Sequence, residues 1–308
     1  MIAAGVGLRL AVQACAFMVM APLQVLAARH GWRLAGWLPV WFHRLFLGLF
    51  GTRVIVRGRP PQHGATLVLS NHVSWLDIPV LGSLRPLSFV AKSEIAGWPV
   101  VGLFARLQRS VFIDRARKSH TASVNTEVGH RLARGDVIVL FPEGTTGDGN
   151  RVLPFRSALV GAARAALAEP SLTRINLHPL AITYVRRNGL PVTRRERPAI
   201  AWYGDMDLAP HLAAFLRDGP LDAVVHWGEP IPFDSAGDRK RATAEAEAAV
   251  REAVYAALRA DAGLTPAGAA SLFSPRARAL KESRGSTVPA PPLRRRNGRE
   301  GACLRRPL

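Results

Sequence analysis

Between residues 52 and 260, short β-branched runs alternate with helical stretches, and this alternation restricts the fold more than any other feature. Residues 52–57 (TRVIVR) and 66–70 (TLVLS) read as strands, followed by a helix over 75–84 and strands at 87–91 and 111–113. Residues 121–134 place Val124, Val128 and Leu132 at helical spacing, and Gly135 closes the segment. Residues 136–141 (DVIVLF) form a buried strand, and 157–169 an Ala-rich helix stopped by Pro170. Later strands are expected at 178–185, 199–202 and 223–227, and a long Ala/Glu helix over 241–260 on the outside. The pattern predicts an α/β domain over residues 51–262: a central mixed sheet flanked by helices.

The N-terminal 50 residues are of another character. Residues 10–28 carry no charge and are bracketed by Arg9 and Arg29. As a helix this run reaches about 28 Å, close to a hydrocarbon core. Gln13, Pro22 and Gln24 weaken it as a spanning helix, and a signal peptide is a rival reading. Residues 34–50 add Trp37, Trp41, Phe42 and Phe46 beside His43 and Arg44, which suits a head-group interface. A buried amphipathic helix of the core is the alternative. Residues 1–50 are therefore expected to be membrane-anchoring helices, and 263–308, rich in Pro, Ser, Gly and Arg, a disordered basic tail.

Charge narrows the partners. The formal net charge is +19, of which residues 276–308 contribute +8 through ten basic and two acidic side chains. A body that remains basic suits phospholipid head groups, a phosphorylated substrate or nucleic acid. Aromatic content of 7% without an RNA-module motif argues against nucleic acid. Two cysteines, Cys15 and Cys303, near opposite ends exclude a disulfide framework or a cysteine-based zinc site. The sequence has no Walker loop, G-x-G-x-x-G or G-x-S-x-G.

Two polar clusters follow predicted strands, where α/β sheets bind ligands. In the first, 71–77 (NHVSWLD), Ser74 and Asp77 have the spacing of a capping box, which by itself accounts for Asp77. If the helix begins at Ser74, His72 lies outside it, and the loop is free to fold the imidazole back onto the Asp77 carboxylate. Such a pair is a general base: the carboxylate fixes the tautomer and supports the imidazolium. Without a nucleophile in an elbow, it would activate a substrate hydroxyl. The second cluster, 141–150 (FPEGTTGDGN), supplies Glu143 and glycines that admit close backbone approach; an ordinary Gly-rich surface loop looks the same. In 112–115 (FIDR), Arg115 is a phosphate-binding candidate or one half of a surface turn.

The order N-H-x-x-x-x-D, F-I-D-R, F-P-E-G-T and then His178-Pro179-Leu180 resembles the phospholipid/glycerol acyltransferase family, and within it the bacterial 1-acylglycerol-3-phosphate acyltransferases, over roughly residues 35–235. The resemblance implies the glycerolipid acyltransferase fold and transfer of a fatty acyl group from acyl-CoA or acyl carrier protein to a lysophospholipid hydroxyl, with no cofactor. It implies His72 as base and Asp77 as its partner. It also implies a substrate-binding set of Lys92, Arg115, Glu143, Gly144, Thr145 and Arg156, with Arg115 and Lys92 on the phosphate. Where the family often has Phe-Lys-x-Gly, this chain has Phe155-Arg156-Ser157-Ala158, and His178 replaces an apolar residue; both bear on the acceptor.

Three readings follow: lysophosphatidate as acceptor, giving phosphatidic acid; a lyso-aminolipid such as lyso-ornithine lipid; or a non-catalytic basic protein on membrane or nucleic acid. The expected location is the inner (cytoplasmic) membrane with the catalytic domain on the cytoplasmic side, among membrane lipids.

Overall fold

The computed structural model describes residues 2–62, 65–113, 118–168, 172–262 and 270–271. Arg115 and almost all of the basic tail lie outside the described residues. The helices are α1 (Ile2–Arg29), α2 (Leu34–Leu49), α3 (Asp77–Gly82), α4 (Pro99–Leu107), α5 (Lys118–Ala133), α6 (Gly161–Ala166), α7 (Leu208–Asp218) and α8 (Arg239–Ala262). The strands are β1 (Arg53–Arg57), β2 (Thr66–Ser70), β3 (Ser88–Lys92), β4 (Val111–Ile113), β5 (Val137–Leu140), β6 (Arg174–Arg187), β7 (Leu190–Pro191), β8 (Leu221–Trp227), β9 (Ile231–Asp234) and β10 (Ala270–Ser271).

They form one mixed sheet in the order β10-β1-β8-β6-β2-β5-β3-β4. The half β6-β2-β5-β3-β4 is parallel, and β8 runs antiparallel to β6 while pairing in parallel with β1. Alternation along the strands sorts the core into two layers. Leu67, Leu69, Ile138 and Leu140 point to one face, covered by Val128 and Leu132 of α5, Ala163 of α6 and Val250 of α8. Val68, Val137, Val139 and Phe141 point to the other, covered by Leu47 of α2, Val80 of α3 and Phe215 of α7. The helix expected on the outside, α8, thus buries Ala246, Val250 and Val254 in the core.

The chain leaves β2 toward β3 and leaves β5 toward β6, although β2 and β5 are neighbours. Their carboxyl ends therefore open a crevice at the point where the strand order reverses.

Three expectations are corrected. Residues 199–202 are not a strand: Arg197–Ala199 forms a helical turn, and Ile200 and Ala201 are buried under the sheet. The helix expected over 157–169 begins as a 3-10 turn and, among the described residues, is α-helical only at Gly161–Ala166. Helices α4 and α7 have no counterpart among the elements expected from the sequence.

The N-terminal helices form a hairpin that joins the sheet domain. Gln24 Nε2 donates to Ala35 O at 2.9 Å and to Leu107 O at 2.8 Å. From α2, His43 Nε2 meets Gln108 Oε1 at 2.9 Å, and Arg44 Nε donates to Ser83 O at 2.8 Å. A β-carbon on Gly82 would stand 2.5 Å from the His43 ring, so α3 and α2 touch because residue 82 has no side chain. His43 and Arg44 thus point inward, whereas Trp37 and Trp41 are exposed. The boundary expected at residue 50 falls inside this packing. By length and composition, Gly5–Arg29 is able to cross a membrane.

Candidate active site

The loop after β2 carries His72 to the crevice and back onto α3. His72 Nδ1 lies 2.7 Å from Asp77 Oδ2. The same oxygen accepts the backbone N–H groups of Val73 at 2.7 Å and Ser74 at 3.0 Å. Asp77 Oδ1 accepts the hydroxyl of Tyr184 at 2.7 Å. Asp77 has no exposed side-chain surface, so these four bonds take the place of water around its charge. Half of the expected capping box is present: Asp77 reaches back to the Ser74 N–H, while the Ser74 hydroxyl has no partner among the described residues and its carbonyl receives Asp77 N–H at 3.0 Å.

The carboxylate at Nδ1 sets the tautomer: Nδ1 carries the hydrogen and Nε2 keeps its lone pair. The His72 side chain is 20% exposed, and its ring stacks on Phe141 with centroids 3.9 Å apart and planes 13° apart. Asn71 anchors the base of the loop. Its amide donates to Ile182 O and accepts from Ile182 N–H, each at 2.9 Å, extending the pairing of β2 with β6 by one side chain.

Glu143 turns inward rather than toward the crevice. Oε2 accepts His72 N–H at 3.1 Å and Oε1 accepts Leu153 N–H at 3.0 Å, with the residue 3% exposed. Burial pushes its carboxyl up from 4.5 to about 8, against the opposing pull of those two N–H groups. Glu143 therefore ties the loops after β2 and β5 together. Gly144 follows at φ 76°, a left-handed conformation that favours glycine. Gly147 N–H donates to His72 O at 2.9 Å, and Arg156 N–H closes the loop onto Pro142 O at 2.8 Å.

The structure thus brings together His72, Asp77, Glu143 and Gly144. The side chains of Thr145 and Arg156 are exposed, and Lys92 is exposed at the end of β3. Lys92 pairs with Ile113, two residues before Arg115, which is outside the described residues. His178 is buried within the sheet opposite Val68, edge-on to Trp227 at 5.2 Å. Burial lowers its pKa, and it takes no part in the cluster around His72.

Sequence reasoning missed Tyr184. One signal was available: it is one of three tyrosines, set in a buried apolar run where a phenol needs a polar partner. Burial and the neighbouring Asp77 push its pKa well above the ordinary value, so it donates at any physiological pH.

A partly exposed imidazole oriented by a buried carboxylate, at the switch point of an open sheet, is a base for a hydroxyl substrate. The acyltransferase family model matches residues 53–183, which span both loops. The chain is 45% identical to a lyso-ornithine lipid O-acyltransferase of Brucella abortus (strain 2308), over 76% of this chain and 86% of that protein. It is 43% identical to a lyso-ornithine lipid O-acyltransferase of Rhizobium meliloti (strain 1021), over 72% of this chain and 76% of that one. A 1-acyl-sn-glycerol-3-phosphate acyltransferase of Neisseria gonorrhoeae is 43% identical over 34% of this chain and 42% of its own. The chain belongs to the acyltransferase family, and it is an acyl-transfer enzyme.

Proposed function

We propose that this chain transfers a fatty acyl group from an acyl thioester, carried on coenzyme A or acyl carrier protein, to the free hydroxyl of lyso-ornithine lipid. The bond from His72 Nδ1 to Asp77 carries the chemistry. The acceptor hydroxyl gives its proton to His72 Nε2 as its oxygen bonds to the thioester carbonyl carbon. The C–S bond then breaks, and the imidazolium returns the proton to the departing thiolate, leaving an ester and a free thiol. A thioester is already activated, so one base is sufficient without a covalent enzyme intermediate or a cofactor.

The acceptor is argued from the extent of likeness. The lyso-ornithine lipid enzymes resemble this chain over more than two-thirds of its length, whereas the glycerophosphate enzyme resembles it over about a third. Of the two acceptors weighed from the sequence, the lyso-aminolipid is favoured over lysophosphatidate. Lys92, exposed at the carboxyl end of β3, keeps the phosphate-bearing acceptor as a second substrate. The apolar Gly5–Arg29 helix supports residence at the cytoplasmic membrane. The sheet domain lies on the cytoplasmic side, where acyl thioesters are made.

The test is acyl transfer by purified protein in detergent, with lyso-ornithine lipid and lysophosphatidate offered separately. Transfer to lyso-ornithine lipid, lost in His72→Ala and kept in Lys92→Ala and Arg115→Ala, is the expected result. Transfer to lysophosphatidate alone, abolished by Arg115→Ala, would replace the acceptor. No transfer to either acceptor would remove the proposal.

A further inference from the structure

We infer that α4 and the loop 202–206 form a lip that inserts into one membrane leaflet beside α1. Four observations carry this.

The outward face of α4 is apolar. Val100 is 63% exposed, Leu103 40% and the preceding Trp98 39%. A helix lying on a water-soluble domain normally turns polar side chains outward. Here the adjoining face is already used, because Phe104 packs with Phe17 and Phe42 at centroid distances of 4.8 and 5.4 Å.

That packing makes the surface continuous with α1. Besides the Phe17 contact, Gln24 of α1 donates to the carbonyl of Leu107, the last residue of α4. Met18 and Val19, on the turn of α1 that carries Phe17, are 75% and 69% exposed. An apolar face built onto a helix long and apolar enough to cross a bilayer is matched by lipid.

The charges around it complement anionic head groups. Lys92 precedes α4 and Arg106 lies in its last turn, and Arg29 and Arg33 flank the α1–α2 turn, all exposed; against these four cations the exposed acids are Glu94 and, in the 202–206 loop, Asp205.

The surface also reaches the loop that holds the base. Trp98 meets Trp202 edge-on at 6.4 Å, and Trp202 N–H donates to Val73 O at 2.9 Å, one residue from His72. Trp202 Nε1 donates to Met206 O at 2.8 Å, and Met206 is itself 40% exposed. The lip therefore brings the crevice to the bilayer surface, so that a lipid acceptor presents its hydroxyl while its chains stay in the leaflet. The second occupant such a face would fit is another copy of the chain.

The test places a nitrobenzoxadiazole label on Leu103→Cys in the full-length Cys15→Ser, Cys303→Ser background. The protein is reconstituted into vesicles of phosphatidylethanolamine and phosphatidylglycerol. Acyl-chain nitroxide lipids are expected to quench the label at least about twofold more than aqueous iodide does, as burial below the head groups requires. Stronger quenching by iodide overturns the inference. A label shielded from both quenchers, with cross-linking between copies, overturns it in favour of self-association. In parallel, the double variant Val100→Lys, Leu103→Lys is expected to lose about tenfold in transfer to a vesicle-borne acceptor and nothing with a micellar one, given the cost of placing charge in the leaflet. Unchanged transfer on vesicles counts against the lip. The label readout involves no acceptor, so it stands or falls independently of the proposed function.

Discussion

Tyr184, on β6, donates its hydroxyl hydrogen to Oδ1 of Asp77 at 2.7 Å, while His72 occupies Oδ2 of the same carboxylate. The base is thus held by a chain of three side chains that spans a strand, a helix and a loop. The phenol fixes the rotation of the carboxylate, and the carboxylate fixes the plane of the imidazole. Tyr184→Phe should lower kcat about tenfold, the cost of one hydrogen bond to a charged group, and leave KM for the acceptor unchanged. Steady-state kinetics at saturating donor would show this. A change confined to KM would mean that Tyr184 does not position the pair.

Asp77→Asn keeps the shape but presents an amide to the imidazole. Its oxygen has to stay on the Val73 and Ser74 N–H groups, so His72 keeps its tautomer but loses the charge that supports the imidazolium, and kcat should fall by about 10²-fold with the fold intact. Circular dichroism of the variant beside its turnover number separates this from unfolding.

Glu143 predicts a pH-dependent stability. Its carboxyl is raised from 4.5 to about 8 by burial, so the folded protein holds this proton more tightly than the unfolded chain. Stability from this group is full below about 4.5 and is lost as pH rises toward 8. Glu143→Gln removes the titration while retaining an acceptor for one backbone N–H. Thermal midpoints measured from pH 5 to 8.5 should decline in the wild type relative to the variant; parallel curves would count against a buried proton on Glu143.

Asn71 bonds twice to the backbone of Ile182, at 2.9 Å each way. Asn71→Leu fills similar space but leaves a buried N–H and C=O unpaired, which should cost about 2–4 kcal/mol. Chemical denaturation in detergent measures it. Activity should fall as well, because the neighbouring residue is the base.

Strands such as Arg53–Arg57 and Val137–Leu140 were readable because each is a run of β-branched residues set off by a glycine, proline or charge, whereas Leu190–Pro191, Ile231–Asp234 and Ala270–Ser271 were not expected. The His72–Asp77 pair was readable because both partners lie within five residues, so local geometry decides. The rest of the site was not. Tyr184 and Asn71 find partners more than 100 residues away, and no local pattern encodes such a meeting. Glu143 was expected to face the substrate; its inward turn depends on Leu153, brought close only by the fold of the intervening loop. The α4 segment is only nine residues long, Pro99–Leu107, and opens on a proline, so its apolar pattern completes too few turns to be told from a loop or strand. Residues 199–202 are apolar and buried like a strand, yet Pro198 and the turn at Arg197–Ala199 keep them from pairing.

The inward side of α2 bears on how the enzyme can be handled. Leu47 is fully buried, Phe50 nearly so, and His43 fills the hollow left by Gly82. Truncation at residue 50 to gain solubility would strip one wall from the hydrophobic interior, leaving Val80, Leu81 and Phe215 facing solvent. A catalytic fragment that keeps this interior closed starts ahead of Leu34, and if it omits α1 it uncovers Leu38, Phe42 and Phe104 in turn.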